Sequence, residues 1–218
     1  MIGAVIAMQS EADILLEDMK ISRTLTVSGK TVHVGMAYGK EAAVCVCGVG
    51  KVNAALGAQL LVSKFGAEKL LNFGVAGGLN KTTELCKVYQ IEAAVQFDFD
   101  LVQLNGTKIG TLNEYTENYL TLNFFKGEFE KRKLGTADRF NDSPDDYTLL
   151  TKELNADIRD MEGAAIVQAA YATKLPVYML KAISDVAGSG STTEQYLQNR
   201  DKALVNLKAA LPAIFEEL

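Results

Sequence analysis

The chain has 218 residues, 48% of them hydrophobic, with 22 Lys and Arg against 27 Asp and Glu and a net charge of -5. That length and apolar content suffice to bury a substantial core, and with only 3 Pro, no Gly/Ser tract and no fixed-period repeat there is no linker, so one domain over residues 1–218 is expected. Lys and Arg are scattered apart from Lys131-Arg132-Lys133, which excludes a basic stripe for nucleic acid. No apolar run reaches the roughly 18 residues that span a bilayer, and Ile2 to Ala7 follows Met1 without a basic leader, so a cytoplasmic protein with no membrane partner is expected.

Three cysteines do not make a disulfide framework, and Cys45 and Cys47, alternating in one predicted strand, read as small buried hydrophobes. The single histidine, His33, excludes a multi-histidine metal site and has no recognisable nucleophile beside it. Catalysis then falls on carboxylates or on bound ions.

In chain order, Ile2 to Met8 is a short apolar run that predicts a central strand, and Gln9-Ser10-Glu11-Ala12 opens an amphipathic helix in which Ser10 can cap. Glu11 thus stands at a strand-to-helix corner, where an acid either complements the helix dipole or serves a site. Val27 to Ala37 and Glu41 to Gly48 are predicted strands joined at Tyr38-Gly39-Lys40. The corner Gly48-Val49-Gly50-Lys51-Val52-Asn53 matches neither the nucleoside-triphosphate loop nor the full dinucleotide fingerprint, but its glycines permit close approach of backbone to a ligand. A helix over Asn53 to Phe65 ends at Gly66, and a strand over Leu70 to Phe73 runs into the corner Gly74-Val75-Ala76-Gly77-Gly78.

Val88 to Leu104 reads as strand and hairpin, with Asn105-Gly106 as a turn and Asp98 and Asp100 alternating on a solvated strand face. Residues 113–133 are mixed and unassigned. Leu134 to Asn141 reads as a strand followed by a loop. Asp160 suits the N-cap of an Ala-rich helix to Thr173, with Glu162 in its first turn, where free amides and the helix dipole favour the anion. Leu175-Pro176 stops that helix, and Val177 to Ile183 is a strand covered on both faces. Asp185 falls just past it, where ligands gather in open α/β sheets. A final amphipathic helix covers Thr193 to Leu218.

Met161-Glu162-Gly163-Ala164-Ala165, then Ala182-Ile183-Ser184-Asp185-Val186-Ala187, resemble the nucleoside phosphorylase and nucleosidase superfamily, and within it most closely the methylthioadenosine/S-adenosylhomocysteine nucleosidases. The glycine-rich corner and Leu134 to Asn141 resemble further motifs of that family, so most of the chain is covered in order. The resemblance implies a single-domain, three-layer α/β fold with a central mixed, twisted sheet flanked by helices. It also implies hydrolysis of the N-glycosidic bond of an adenine nucleoside by a homodimer, with no metal or other cofactor. Glu11, after Ala7-Met8, would be the base on water, Asp185 the acid at purine N7, and Glu162 the ligand of a ribose hydroxyl. Substrate contacts would come from Val49, in the corner that borders the pocket for the ribose 5' group, and from Met8, Val75, Ala76, Gly77, Arg139, Phe140, Met161 and Ser184.

The chain departs from its relatives at three places. Val75 stands where a serine usually orients the acid, Thr193 stands where a phenylalanine lines the 5' pocket, and the flap region is trimmed. Phosphorylase relatives place arginines before the glycine corner and near the first strand, where this chain has Asn72-Phe73 and Gln9-Ser10-Glu11-Ala12-Asp13, so water is the expected nucleophile. Lys181 and Arg139 are the nearby cations. A purine nucleoside phosphorylase and a non-catalytic nucleoside-binding relative are the alternatives.

Overall fold

β1 (Ile2–Ile6) is buried along its whole length, as a short apolar run is when both of its faces are covered. In the computed structural model, which describes residues 1–79, 82–127, 129–140 and 142–218, it is followed by α1 (Gln9–Leu16) and by β2 (Met19–Val27), β3 (Lys30–Ala37) and β4 (Lys40–Val46). Next come α2 (Lys51–Phe65), β5 (Lys69–Gly78), β6 (Val88–Gln96), the short α3 (Val102–Asn105), β7 (Leu120–Thr121) and β8 (Lys131–Thr136). α4 (Pro144–Thr148), β9 (Ile158–Asp160), α5 (Gly163–Thr173), β10 (Val177–Val186) and α6 (Thr192–Glu217) follow.

The described strands form one mixed sheet. β1 lies parallel between β4 and β5, and β3 and β2 continue the β4 side as antiparallel neighbours. The other half of the sheet closes on itself. β5 pairs with β10, β10 with β6, β6 with β8, β8 with β9, and β9 returns to β5 at Gly77 and Gly78.

Helices cover both faces. α2 and α5 share a core with Leu61, Leu70, Ile166 and Met179, while α1 and α6 share one with Leu15, Leu71, Phe73, Leu180 and Phe215. Leu70 feeds one core and Leu71 the other, because successive strand residues point to opposite faces. The result is the expected single-domain α/β architecture of three layers. No helix among the described residues is long and apolar enough to cross a membrane.

Several local readings need correction. Val27–Ala37 is not one strand. Ser28 and Gly29 take φ of 51° and 75° and make the tight turn between β2 and β3, which β2, exposed from Lys20 to Thr26, gave little apolar pattern to reveal. Ser10 is not the cap of α1, which begins at Gln9 with Met8 in the N-cap position. Gly74–Gly78 is the second half of β5. β6 ends at Gln96, so Asp98 and Asp100 lie outside any strand, and Gly106 is the left-handed C-cap of α3 and not part of a hairpin. α5 begins at Gly163, with Glu162 and not Asp160 in the N-cap position.

Candidate active site

The site forms where β1 stops and β5 runs on. β1 pairs with β5 only at Lys69, Leu70 and Leu71, and β9 joins that strand at Gly77 and Gly78. The stretch between must place its polar groups elsewhere. Asn72 Nδ2 donates to Val5 O at 2.8 Å, and Val75 N–H donates to Glu11 Oε1 at 2.8 Å. Glu11 enters from the first turn of α1, where its Oε2 accepts Met8 N–H at 3.2 Å. An added Cβ on Gly74 would lie 2.5 Å from Glu11 Oε1, so the absence of a side chain there makes room for the carboxylate. Burial raises the Glu11 pKa, while Lys181 and the two amide donors pull it down.

Asp185 is set by an irregularity in β10. Its register with β5 slips between Ile183 and Asp185, which re-aims the side chains there. The Ser184 hydroxyl donates to Asp185 Oδ2 at 2.9 Å, with Ala76 O a longer second acceptor at 3.3 Å. Ser184 thus supplies a hydroxyl to the acid in a chain that has Val75 on the neighbouring strand. Burial raises the Asp185 pKa, the Ser184 hydrogen bond and the Arg159 guanidinium lower it, and Asp142 raises it again.

Glu162 does not serve the helix it precedes. It holds the N-cap position of α5 and turns its Oε1 to accept Gly50 N–H, at the N-cap of α2, at 2.8 Å. Asp160, one strand residue earlier than Met161, still accepts Gly163 N–H at 2.9 Å, and it also takes the Thr136 hydroxyl at 2.6 Å and the Lys181 ammonium at 2.9 Å. Burial alone would lower the Lys181 pKa, but Asp160, Glu162 and Glu11 together carry it above the ordinary value.

Contrary to expectation, the helix terminus therefore does not hold Glu162 wholly as an anion, and near neutral pH it is divided between its two forms. Burial, and then the charge of Asp160, push its carboxyl up to about 7. With a folded-state pKa above the ordinary value near 4.5, the associated stability is complete below about pH 4.5 and is lost as pH rises through about 7. Glu162→Gln, which cannot ionise, should gain stability relative to the wild type from about pH 5 to about pH 8, by about 1–3 kcal/mol at the upper end. Thermal melts across that range test this, and a difference independent of pH would count against it.

These groups line a cavity of about 400 Å³, a size suited to a small molecule. Met8, Glu11, Val49, Val75, Ala76, Gly77, Phe140, Met161, Glu162, Ser184 and Asp185 all lie on its wall. Arg139 does not: its Nε pairs with Asp146 Oδ2 at 2.9 Å, and its guanidinium lies 5.2 Å from the Phe97 ring centroid. Phe140 is no core aromatic. Its half-exposed ring meets Tyr196 edge-on at 5.9 Å. Residue 141, the end of the Leu134–Asn141 motif, lies outside the described residues.

The loop after β8 is tied down where Asp138 Oδ1 accepts Lys51 N–H at 2.7 Å and Asp98 takes the Lys51 ammonium at 2.5 Å. Arg159, Asp160, Tyr196 and Leu197 also line the cavity without having been anticipated as site residues. Thr193, Tyr196 and Leu197 stand at helical i, i+3, i+4 spacing on α6, a legible signal, whereas nothing but proximity to Met161 marked Arg159.

A cavity at the carboxyl ends of parallel strands, walled by Glu11, Asp160, Glu162 and Asp185 from three distant segments, on a mixed sheet with helices on both faces, defines an α/β protein built like the nucleoside phosphorylases. The sequence matches the family described as the Phosphorylase superfamily over residues 1–216, and the chain belongs to that family. It is 26% identical to the 5'-methylthioadenosine/S-adenosylhomocysteine nucleosidase of Maridesulfovibrio salexigens, over 100% of this chain and 99% of that protein. It is 30% identical to the aminodeoxyfutalosine nucleosidase of Campylobacter jejuni, over 84% of each. The Helicobacter pylori 5'-methylthioadenosine/S-adenosylhomocysteine nucleosidase, solved with butyl-thio-DADMe-Immucillin-A, has the same fold at a TM-score of 0.90, 23% identity and coverage of 100% and 98%.

Proposed function

We propose that the protein hydrolyses the N-glycosidic bond of an adenine nucleoside, such as 5'-methylthioadenosine, S-adenosylhomocysteine or a close analogue, releasing the free base and the ribose derivative. The observation that carries this reading is the convergence of Glu11, Glu162 and Asp185 on one cavity, in a chain whose curated relatives are named nucleosidases. Cleavage creates a ribosyl cation-like transition state and a purine that leaves poorly unless protonated. Asp185, with its raised pKa, donates the proton at N7. Glu11 takes a proton from the attacking water, and its own raised pKa brings it nearer the working pH of a general base. Glu162 accepts from a ribose hydroxyl and, in the ionised form that a pKa of about 7 leaves well populated near neutral pH, stabilises the positive charge that develops on the sugar. Met8, Val49 and Leu197 give the cavity apolar wall for the 5' substituent.

Water is the nucleophile in this reading. A phosphorylase must hold a dianion with cations or charge-assisted donors. Here Lys181 is engaged by Asp160 at 2.9 Å, and Arg159 lies beside Asp185, at the base end of the site. Adenine release from 5'-methylthioadenosine is expected to proceed at the same initial rate with and without phosphate, yielding 5-methylthioribose and no 5-methylthioribose 1-phosphate. A negligible rate that rises to saturation with added phosphate would establish phosphorolysis instead.

The same reading includes a cytoplasmic homodimer. Val52 and Leu56, one turn apart on α2 and 70% and 56% exposed, form an apolar surface next to the cavity residue Val49. Light scattering at micromolar concentration should give twice the chain mass, and a monomer mass would remove this part of the proposal.

A further inference from the structure

Arg159 has no part in the chemistry above. It stands in β9 in register with Gly77 of β5 on one side and Gly135 of β8 on the other. Its side chain runs past Gly77, where an added Cβ would lie 2.9 Å from Asp185 Oδ1 and 3.1 Å from Arg159 Nε. The glycine thus lets a guanidinium lie alongside the acid. Arg159 Nη2 is buried with no hydrogen-bond partner among the described residues, and so is Asp185 Oδ1. The two atoms are 3.9 Å apart, and both residues line the cavity. Asp142 Oδ1 is also 3.9 Å from Nη2, beyond hydrogen-bond reach, and its side chain is half exposed. An orphaned buried donor beside an orphaned acid oxygen in a cavity wall calls for a ligand that satisfies both.

We propose that Arg159 is a base-recognising residue that admits 6-oxopurine nucleosides to the site alongside 6-aminopurine ones, with Nη2 donating to O6 while Asp185 serves N7. This rests on the reading of Asp185 as the acid at N7. A 6-oxopurine presents two adjacent acceptors on that edge, N7 and O6, a pair for which arginine is the commonest partner. A 6-aminopurine presents N7 and a donor amino group. Guanidinium can only donate. With adenine, the amino group turns to Asp185 alone and Nη2 stays unpaired, whereas with hypoxanthine both orphaned atoms are satisfied by one ring edge.

The test compares 5'-methylthioadenosine with 5'-methylthioinosine, which differ at C6, in the full-length wild type and in Arg159→Leu and Arg159→Lys. Binding of free adenine and hypoxanthine is measured in parallel by calorimetry. The wild type is expected to hydrolyse both nucleosides. Arg159→Leu is expected to lose at least about tenfold more kcat/KM for the inosine than for the adenosine, with hypoxanthine affinity falling in the same ratio. The proposal is overturned if the wild type neither releases nor binds hypoxanthine. It is also overturned if both variants lower the two bases' values by one common factor, complete loss included. Absence of turnover on either nucleoside, with the hypoxanthine-to-adenine binding ratio still set by residue 159, would support base recognition while removing the hydrolase reading.

Discussion

Asp185→Asn is expected to reduce kcat by about a thousandfold, within the range attributed to a positioned general acid, without loss of the fold. Asparagine keeps the shape of the side chain and can still accept from the Ser184 hydroxyl, which meets Asp185 Oδ2 at 2.9 Å. It cannot deliver a proton to a departing purine. Stability should change little, because burial disfavours the ionised carboxylate and the amide removes that charge. In the wild type, activity should fall as pH rises through the raised Asp185 pKa, because the donor is then lost. Product chromatography over a pH series checks both statements. Undiminished adenine release by the asparagine variant would sink the assignment of this residue as the acid.

Gly74→Ala should be nearly as damaging although residue 74 brings no functional group. A Cβ there would lie 2.5 Å from Glu11 Oε1, closer than real contacts allow, so the carboxylate must leave its seat. Moving it breaks the hydrogen bonds from Val75 and Met8 that aim it, and a displacement on the order of 1 Å of a catalytic group lowers rates about a hundredfold. The comparison with Glu11→Gln is decisive. If Gly74 acts by seating Glu11, the double variant should be little slower than the worse single one, because groups that act as a unit are not additive. Multiplied losses, or a Gly74→Ala enzyme with wild-type kcat/KM, would show that the glycine does something else.

Glu11, Glu162 and Asp185 stood out at the ends of short apolar runs, but a cap was as good a reading of each from pattern alone, and their selection as site residues came from the resemblance of the motifs around them. The glycines at 74 and 77 were legible as a cluster. What they do was not, since each is defined by an atom brought from another element: Glu11 in one case, Asp185 and Arg159 in the other. The protonation of Glu162 was misread for a similar reason. Its local position suggests a stabilised anion, but the value follows first from burial, which only the folded sheet and its helices create, and then from the charge of Asp160 two residues away. β9 itself has three residues, Ile158–Asp160, too few for any alternation to register. Arg139 was chosen for its place in a motif, and its side chain instead found Asp146.

The two halves of the sheet hold their members in different ways. From β5 through β10, β6, β8 and β9 the strands close a circuit, so no strand in it can slide without disturbing neighbours on both sides. Glu11, Glu162 and Asp185 are all hydrogen-bonded to that circuit or rise from it. β2 lies at the other end, an edge strand with little buried surface, joined to β3 by a turn in which a side chain on Gly29 would meet open space. For protein engineering this makes the Ser28–Gly29 turn, at the outer edge of the sheet, a place to graft a reporter or an affinity peptide, provided that Lys30 keeps its bonds to Cys47 O and Asn53 Oδ1 beside the Val49 corner.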